Sequence, residues 1–315
     1  MIFSWRHEPP AGLPAVFDIY IRASGACAFL MLTIVLSIGP LARLSRVFLP
    51  LLANRRHFGV LTCLVAITHL LAVLGWYAAD GHPFNLFFEL TKWSDYASFS
   101  TVSFKAFGLA AFLVLLLLAA TSHDYWLALL TPPVWKAMHM LVYLAYGLVV
   151  LHVALGLLQD ERSWLVTGYF AGCFTLVASL HMLAAWRETT IDAGEAPRDN
   201  WIRIGPPSSI PDQRARIVAA PGGERIAVFR DGDEIGAVTN LCAHQNGPLG
   251  EGRIVDGCIV CPWHGYEYRL HDGCAPPPFR ERLATYPLRL ADGMVELDPR
   301  PLPPGTPASI RVPPL

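Results

Sequence analysis

Two stretches decide the fold of the C-terminal third of the chain: Cys242-Ala243-His244-Gln245-Asn246-Gly247 and Cys261-Pro262-Trp263-His264-Gly265. Each stretch holds one cysteine and one histidine, and 16 residues separate His244 from Cys261. The neighbouring glycine, proline and asparagine residues favour tight turns, which let the backbone fold around a sulfur atom. The pattern predicts a metal site that is built by two loops.

The four side chains of these loops are typical of an iron–sulfur centre with mixed ligands. In such a 2Fe–2S cluster one iron takes two thiolates, here Cys242 and Cys261, and the other takes two imidazoles, here His244 and His264. The alternative is a structural zinc site with the same four ligands. Zinc-finger spacing places two cysteines before two histidines, whereas each loop here mixes the two residue types, so the spacing favours the cluster.

Short alternating strands surround the two loops between Trp201 and Asp298. Turn sequences such as Asp231-Gly232-Asp233 and Asp272-Gly273 separate them. The predicted strands are Arg216–Ala219, Arg225–Arg230, Glu234–Thr239, Cys258–Val260, Tyr266–Arg269 and Met294–Leu297. We therefore expect an all-β module over residues 201–298, followed by a proline-rich tail over 299–315.

The rest of the chain is too apolar for one soluble globule. Hydrophobic residues make up 53% of the 315 residues, and the mean hydropathy is +0.40. Most of them fall within residues 1–187, and residues 188–200 form a predicted linker. The net charge of −1 gives no attraction for nucleic acid. The composition predicts a multidomain protein, in which an all-α multi-pass membrane helical bundle precedes the small all-β module.

Five stretches are long enough to cross a bilayer, which takes about 20 residues. The predicted spans are 20–41, 58–79, 105–121, 137–158 and 165–186. The aromatic segment Pro83–Phe99 also carries charges and is predicted to be interfacial. The first connection holds Arg43, Arg46, Arg55 and Arg56 and no acidic residue. The positive-inside rule therefore predicts that this connection and the C-terminal module are cytoplasmic.

Histidines inside such spans are costly in lipid and so indicate a function. His69 and His152 are predicted to reach a similar outer depth. His57 and His139 are predicted to lie at a similar inner depth. His181 is an alternative candidate for a haem ligand at that depth. Paired imidazoles at matched depth suit a six-coordinate b-type haem. The alternative, a hydrogen-bonded contact between helices, weighs most for His57 and His181.

His139 and His152 raise a geometric question. Thirteen residues on an ideal helix place their side chains about 140° apart. Either two haems approach the fourth span from different sides, or this helix is locally irregular.

The membrane half resembles a known family. The stretch Arg55-Arg56-His57-Phe58-Gly59-Val60 leads to Thr68-His69-Leu70-Leu71, and Met138-His139-Met140-Leu141-Val142-Tyr143-Leu144 leads to Leu151-His152. Together they resemble the ferric reductase-like transmembrane domain, and within it the haem-binding membrane subunits that serve periplasmic methionine sulfoxide reductases. The resemblance covers about residues 20–187 and implies that His69, His139 and His152 bind haem. That family has six spans, whereas five are predicted here.

Residues 201–298 resemble Rieske ferredoxins and the small Rieske domains of nitrite reductases and ring-hydroxylating oxygenase systems. The cytochrome bc class has an additional, disulfide-forming cysteine in each loop, where this chain has Gly247 and Trp263. That class also has a serine that donates to the cluster, where this chain has Tyr266. Fewer hydrogen bonds to sulfur predict a reduction potential in the lower part of the Rieske range, about −150 mV to 0.

These features predict an electron-transfer protein of the bacterial inner membrane, an oxidoreductase component rather than a complete enzyme. Electrons would pass between the 2Fe–2S cluster, an inner haem b at His139, and an outer haem b at His69 and His152. The expected partners are the lipid bilayer, a cytoplasmic electron donor or quinone, and an extracytoplasmic redox protein. The alternatives are a ferric reductase that acts at the outer haem, and a membrane-tethered redox sensor or structural subunit.

Overall fold

The computed structural model describes residues 12–81, 104–130, 132–160, 163–192, 201–221 and 223–313. The predicted interfacial segment Pro83–Phe99 and most of the predicted linker lie outside these residues. The chain forms two compact units. One unit contains Met1–Ile38 and Asn54–Leu180, and the other contains Gly39–Ala53 and His181–Leu315.

The described part of residues 1–192 is helical. Its helices are α1 (Leu13–Leu44), α2 (Leu49–Ala79), α3 (Phe104–Ala120), α4 (Asp124–Leu130), α5 (Pro132–His139), α6 (Leu141–Leu155), α7 (Leu157–Asp160) and α8 (Trp164–Asp192). Within the described residues, four helical stretches are long and apolar enough to cross a membrane: Leu13–Leu44, Asn54–Ala79, Val134–Gln159 and Trp164–Thr189. The third predicted span is α3, an apolar helix of 17 residues.

Between His139 and His152 the helix assignment is interrupted at one residue, Met140, whose backbone stays in the α-helical region and whose N–H donates to the carbonyl of Lys136 at 3.1 Å. Helix α5 ends at His139 and α6 begins at Leu141, with Met140 as a turn residue between them. Two proline residues begin α5, a position where the missing N–H costs nothing.

Three aromatic side chains pack against one another in the core of the first unit. Phe29 of α1 stacks on Tyr146 of α6, with 5.5 Å between ring centroids, and meets the edge of Phe170 of α8 at 4.9 Å. Next to them, the Tyr169 hydroxyl donates to the carbonyl of Ala26 at 2.8 Å. These contacts fix α1 against α6 and α8.

The C-terminal module is all-β, as expected. Its strands are β1 (Ile202–Gly205), β2 (Arg214–Ala219), β3 (Arg225–Asp231), β4 (Glu234–Thr239), β5 (Arg253–Val255), β6 (Cys258–Val260), β7 (Glu267–Arg269), β8 (Leu288–Ala291), β9 (Met294–Leu297) and β10 (Ile310–Arg311). They form three antiparallel sheets, in the orders β1-β9-β8, β10-β4-β3-β2 and β5-β6-β7. Strand β10 comes from the proline-rich segment and pairs with the start of β4.

Two hydrophobic cores divide the module. The first packs β1, β9 and one face of β3 and β4, and it includes Val312, which directly follows β10. The second lies under the β5-β6-β7 sheet and includes Cys242, Cys261 and Tyr268. The two predicted ligand loops connect β4 to β5 and β6 to β7, so both begin and end on this second core.

Candidate metal centres

The first ligand loop is closed by two backbone hydrogen bonds. The Cys242 N–H donates to the carbonyl of Gly247 at 2.9 Å, and the Asn246 N–H donates to the carbonyl of Cys242 at 2.7 Å. Asn246 has a φ of 56°, in the left-handed region that asparagine tolerates better than most residues.

The second loop repeats this arrangement at the same spacing. The Cys261 N–H donates to the carbonyl of Tyr266 at 2.8 Å, and the Gly265 N–H donates to that of Cys261 at 2.9 Å. Gly265 has a φ of 71°. The two cysteines therefore hold equivalent places in two equivalent loops.

The two sulfur atoms are brought together in the interior. Cys242 is 0% exposed and Cys261 is 2% exposed. Hydrogen bonds from the Cys261 thiol, the Tyr268 hydroxyl and the backbone amides of His244 and Gln245 lower the pKa of Cys242, whereas the contact with Cys242 and burial raise the pKa of Cys261. These donors stabilise a thiolate, which is the form that binds metal.

The two imidazoles lie together on the solvent side. The ring centroids of His244 and His264 are 5.4 Å apart, and the rings are almost perpendicular at 89°. His264 is exposed and His244 is half-buried. The His244 ring stacks on Tyr266 at 4.9 Å, and the Tyr266 hydroxyl donates to the Glu281 carboxylate. This stacking holds the imidazole plane in place.

The pairing of sulfur with sulfur and imidazole with imidazole fits a two-iron cluster. Gly247 supplies a further fit, because a Cβ at this position would lie only 2.8 Å from the Cys261 sulfur. A side chain at position 247 would therefore occupy the space that the Cys261 sulfur needs.

Tyr268 is a site residue that the sequence reasoning missed. It is fully buried on β7, and its hydroxyl oxygen lies 3.4 Å from the Cys242 sulfur. Burial, and then the negative charge of Cys242, raise the pKa of Tyr268, so the phenol stays protonated and can donate. The signal in the sequence is its inward position on a three-residue strand directly after the second loop.

The structure brings His69 and His152 together in the membrane half. Their ring centroids are 6.4 Å apart, and the rings are 85° from coplanar. A metal–nitrogen bond measures about 2.0–2.1 Å, and the centre of an imidazole ring lies roughly 1.2 Å beyond the nitrogen. The ring centroids of two imidazoles that bind one metal ion from opposite sides are therefore about 6.4 Å apart. The observed separation fits the predicted haem.

Backbone carbonyls orient these two imidazoles. His69 Nδ1 lies 2.9 Å from the carbonyl oxygen of Ile21, and His152 Nδ1 lies 2.8 Å from that of Phe104. An Nδ1–H that donates to a carbonyl fixes the tautomer and leaves Nε2 with the lone pair that a metal needs.

Glycines allow both rings to lie close to the neighbouring helices. A Cβ at Gly25 would be 3.1 Å from Cε1 of His69, and a Cβ at Gly108 would be 2.7 Å from Nδ1 of His152. These two glycines carry no motif that the sequence reasoning recognised.

The remaining candidate histidines differ in their surroundings. His139 Nδ1 lies 3.0 Å from the carbonyl oxygen of Trp135, on whose ring the imidazole stacks at 3.7 Å. The Nε2 atom of His139 is buried and makes no hydrogen bond, which fits an atom reserved for a metal. His57 is exposed on α2, and His181 is half-buried on α8.

Comparison with known proteins covers both halves of the chain. The Rieske 2Fe-2S domain matches residues 200–287, and the ferric reductase like transmembrane component matches residues 23–150. The ferredoxin subunit of anthranilate 1,2-dioxygenase from Burkholderia cepacia is 42% identical over 90 residues, which are 28% of this chain and 80% of that subunit. The heme-binding subunit of protein-methionine-sulfoxide reductase from Caulobacter vibrioides is 31% identical over 153 residues, 48% of this chain and 67% of that subunit.

The chain belongs to both families. Its Rieske domain takes a 2Fe–2S cluster, and its ferric reductase-like domain supplies apolar, membrane-length helices. The two resemblances stated from the sequence are confirmed. Coverage varies among the relatives of the Rieske domain: chlorophyllide a oxygenase from Oryza sativa subsp. japonica is 34% identical over 96 residues, but these are only 18% of its length.

Proposed function

We propose that this protein carries electrons through a bacterial inner membrane, between the 2Fe–2S cluster of its Rieske domain and haem b in its ferric reductase-like domain. The observation that carries this proposal is the pair of carbonyl-oriented imidazoles, His69 and His152, on the same chain as a Rieske domain. The cluster and haem supply the one-electron chemistry. The two halves of the chain hold them.

On the Rieske side, Cys242 and Cys261 bind one iron and His244 and His264 bind the other. The buried sulfurs anchor the cluster in the second core of the module, whereas exposed His264 gives a redox partner access to it. The Rieske domain therefore exchanges electrons with its partner through its imidazole side.

On the membrane side, His69 and His152 bind one haem through Nε2. His139, whose Nε2 is buried and makes no hydrogen bond, binds a second haem nearer the other face. The heme-binding relative from Caulobacter vibrioides supports this cofactor. Because lipid does not conduct electrons, an electron path across the membrane requires cofactors at two depths.

The Rieske domain lies on the cytoplasmic side in this proposal. Its compact unit includes residues 39–53, which cover the end of α1, the connection to α2 and the start of α2, and which contain Arg43 and Arg46. Within that unit, Arg187 of α8 donates to the carbonyls of Arg43 and Leu44 at 2.5 and 2.8 Å, and Glu188 forms an ion pair with Arg225 of β3. Electrons would come from a cytoplasmic donor or quinone and leave to an extracytoplasmic redox protein.

Anaerobic optical and EPR spectra of the purified full-length chain test the proposal. We expect a b-type haem spectrum together with the signal of a reduced Rieske cluster. His69→Ala and His152→Ala should each remove the same haem component, because each leaves one axial position empty. His123→Ala is the matched control, since His123 is exposed in the turn between α3 and α4.

Protein without a haem spectrum would refute the proposal, and so would His69→Ala and His152→Ala variants with unchanged spectra. Rapid turnover of ferric chelates with an artificial donor would instead favour a ferric reductase that acts on its own.

A further inference from the structure

Trp135 packs directly against His139, to which the proposed function assigns the second haem. The two residues lie one turn apart on α5, and their ring centroids are 3.7 Å apart with 26° between the ring planes. The Trp135 carbonyl oxygen also lies 3.0 Å from Nδ1 of His139. The imidazole is therefore held by both the ring and the carbonyl of one residue.

The two contacts restrain different features of the imidazole. An Nδ1–H that donates to a carbonyl fixes the tautomer and leaves the lone pair on Nε2. The stacked indole fixes the plane of the ring, which a single hydrogen bond does not. The Nε2 atom of His139, which is buried and makes no hydrogen bond, is consequently held in one direction.

Trp135 is in turn fixed by residues outside α5. Its indole N–H, the only donor of the side chain, donates to the carbonyl of Thr121, directly after α3, at 2.9 Å. The guanidinium carbon of Arg56, on α2, lies 5.4 Å from the centre of an indole ring, within range of a cation–π interaction. Trp135 is only 8% exposed. An indole that is held from two other segments can act as a rigid support for the imidazole beside it.

The outer pair of histidines is oriented by different residues. The carbonyls that face His69 and His152 belong to Ile21 of α1 and Phe104 of α3. The carbonyl that faces His139 comes from its own helix, and Trp135 supplies both that carbonyl and the stacked ring. A change of the Trp135 side chain should therefore affect His139 and leave the outer pair as it is.

We propose that Trp135 is a positioning residue, which holds the His139 imidazole in the plane that binding of the second haem requires. This inference rests on the proposed function, which places that haem at His139. Loss of the indole leaves the backbone carbonyl in place but lets the imidazole turn about its bond to Cβ, a torsion with only broad minima. A misoriented imidazole binds iron less tightly, so both the strength of haem binding and the signal of the haem should change.

EPR spectra of the oxidised, haem-loaded full chain test this inference, because the g values of a low-spin haem depend on the planes of its axial imidazoles. Trp135→Leu is compared with the wild type and with Trp164→Leu, which removes an indole that is 79% exposed at the start of α8. We expect Trp135→Leu to shift only the haem component that His139→Ala removes, and Trp164→Leu to shift none.

Haem transfer to an acceptor globin gives a second measurement. Trp135→Leu should weaken binding of the His139-dependent haem about tenfold, as loss of a group that orients a metal ligand typically does. Trp135→Phe keeps an aromatic face against the imidazole and should retain most of the wild-type signal and affinity. If Trp135→Leu does not accumulate, Trp135→Met is read in the same way, since it keeps apolar volume without a ring.

Two outcomes would overturn the inference: g values and haem transfer that stay unchanged without the indole, or equal changes in the haem component that depends on His69. The second outcome would mean that Trp135 only supports the fold. His139→Ala separates these failures from failure of the second haem. If that variant keeps every haem component, His139 binds no haem, and the second haem of the proposed function is refuted together with this inference.

Discussion

The hydroxyl of Tyr268 is a side-chain donor to a predicted cluster ligand, Cys242, although Tyr268 is not itself a ligand. It lies 3.4 Å from the Cys242 sulfur, inside a fully buried environment. A hydrogen bond to sulfur withdraws negative charge from the cluster and raises its potential. Tyr268 therefore opposes the low potential that the missing serine at position 266 predicts.

Tyr268→Phe should lower the midpoint potential of the cluster by about 60 mV, the value of a tenfold change for one electron. The physical reason is the loss of a donor to sulfur with almost no change in side-chain volume. Redox titration followed by EPR measures the effect. Tyr266→Phe is the control, because that hydroxyl donates to Glu281 rather than to sulfur. Equal potentials in the wild type and Tyr268→Phe would contradict the prediction.

The proposed cluster ligands are the part of the site that is easiest to predict from sequence. Cys242, His244, Cys261 and His264 sit in short motifs whose residue types and spacing suit one kind of cofactor. Tyr268 and Gly25 belong to no such motif, since their roles depend on which distant side chain the fold places beside them. The role of a backbone carbonyl such as that of Ile21 is even harder to predict from sequence, because every residue has a carbonyl.

At the scale of elements, strand β10 shows how the last described segment joins the fold. Ile310 pairs with Ile235 and Arg311 with Glu234, which extends the sheet that contains β3 and β4. Val312 is 4% exposed within the first core of the module. The proline-rich composition predicted a tail, since proline removes backbone donors, but two non-proline residues are enough to pair.

Val312→Asp should destabilise the Rieske domain by about 3 kcal/mol, because it replaces a buried apolar side chain with a carboxyl that must lose its water. Arg311→Asp is the matched control at the neighbouring, exposed position. Denaturation of the full chain, followed by the optical signal of the cluster, measures the difference. Comparable midpoints for the two variants would show that β10 does not contribute to the core.

The longer strands could be predicted from their alternation of apolar and polar residues, and the membrane helices from the length of their apolar stretches. Strands β3, β4, β6 and β9 lie where alternation predicts them, and the membrane helices lie where the apolar stretches predict them. Strands β1, β5 and β8 were missed, because three or four residues between turns carry too little pattern. The interruption at Met140 has no proline or glycine to mark it.

At the scale of the whole molecule, the orientation proposed for the membrane rests on four arginines where α1 ends and α2 begins. Arg43, Arg46, Arg55 and Arg56 stand there without an acidic residue. Residues 39–53 and the Rieske domain belong to one compact unit. Two of the four arginines, Arg43 and Arg46, lie within residues 39–53, which supports the cytoplasmic position proposed for the Rieske domain.

We expect a reporter that matures only in the cytoplasm to be active when fused after residue 315. A reporter that needs export should be inactive at the same position. Replacement of the four arginines by glutamine should weaken this preference, whereas the same number of glutamines at Arg214, Arg216, Arg253 and Arg289 should leave it unchanged. Activity of only the exported reporter would contradict the proposed orientation.

The cysteine side of the cluster site is buried and the His264 side is exposed, and this difference affects the rate of electron transfer from a partner. Because the cysteine side is sealed and the His264 side is open, a diffusing donor succeeds only when it collides with a small part of the surface. Most encounters are therefore unproductive, and the association rate responds to charge changes beside His264 far more than to the same changes elsewhere on the domain. Selectivity among donors can thus be set by a few surface residues while the cluster itself stays the same.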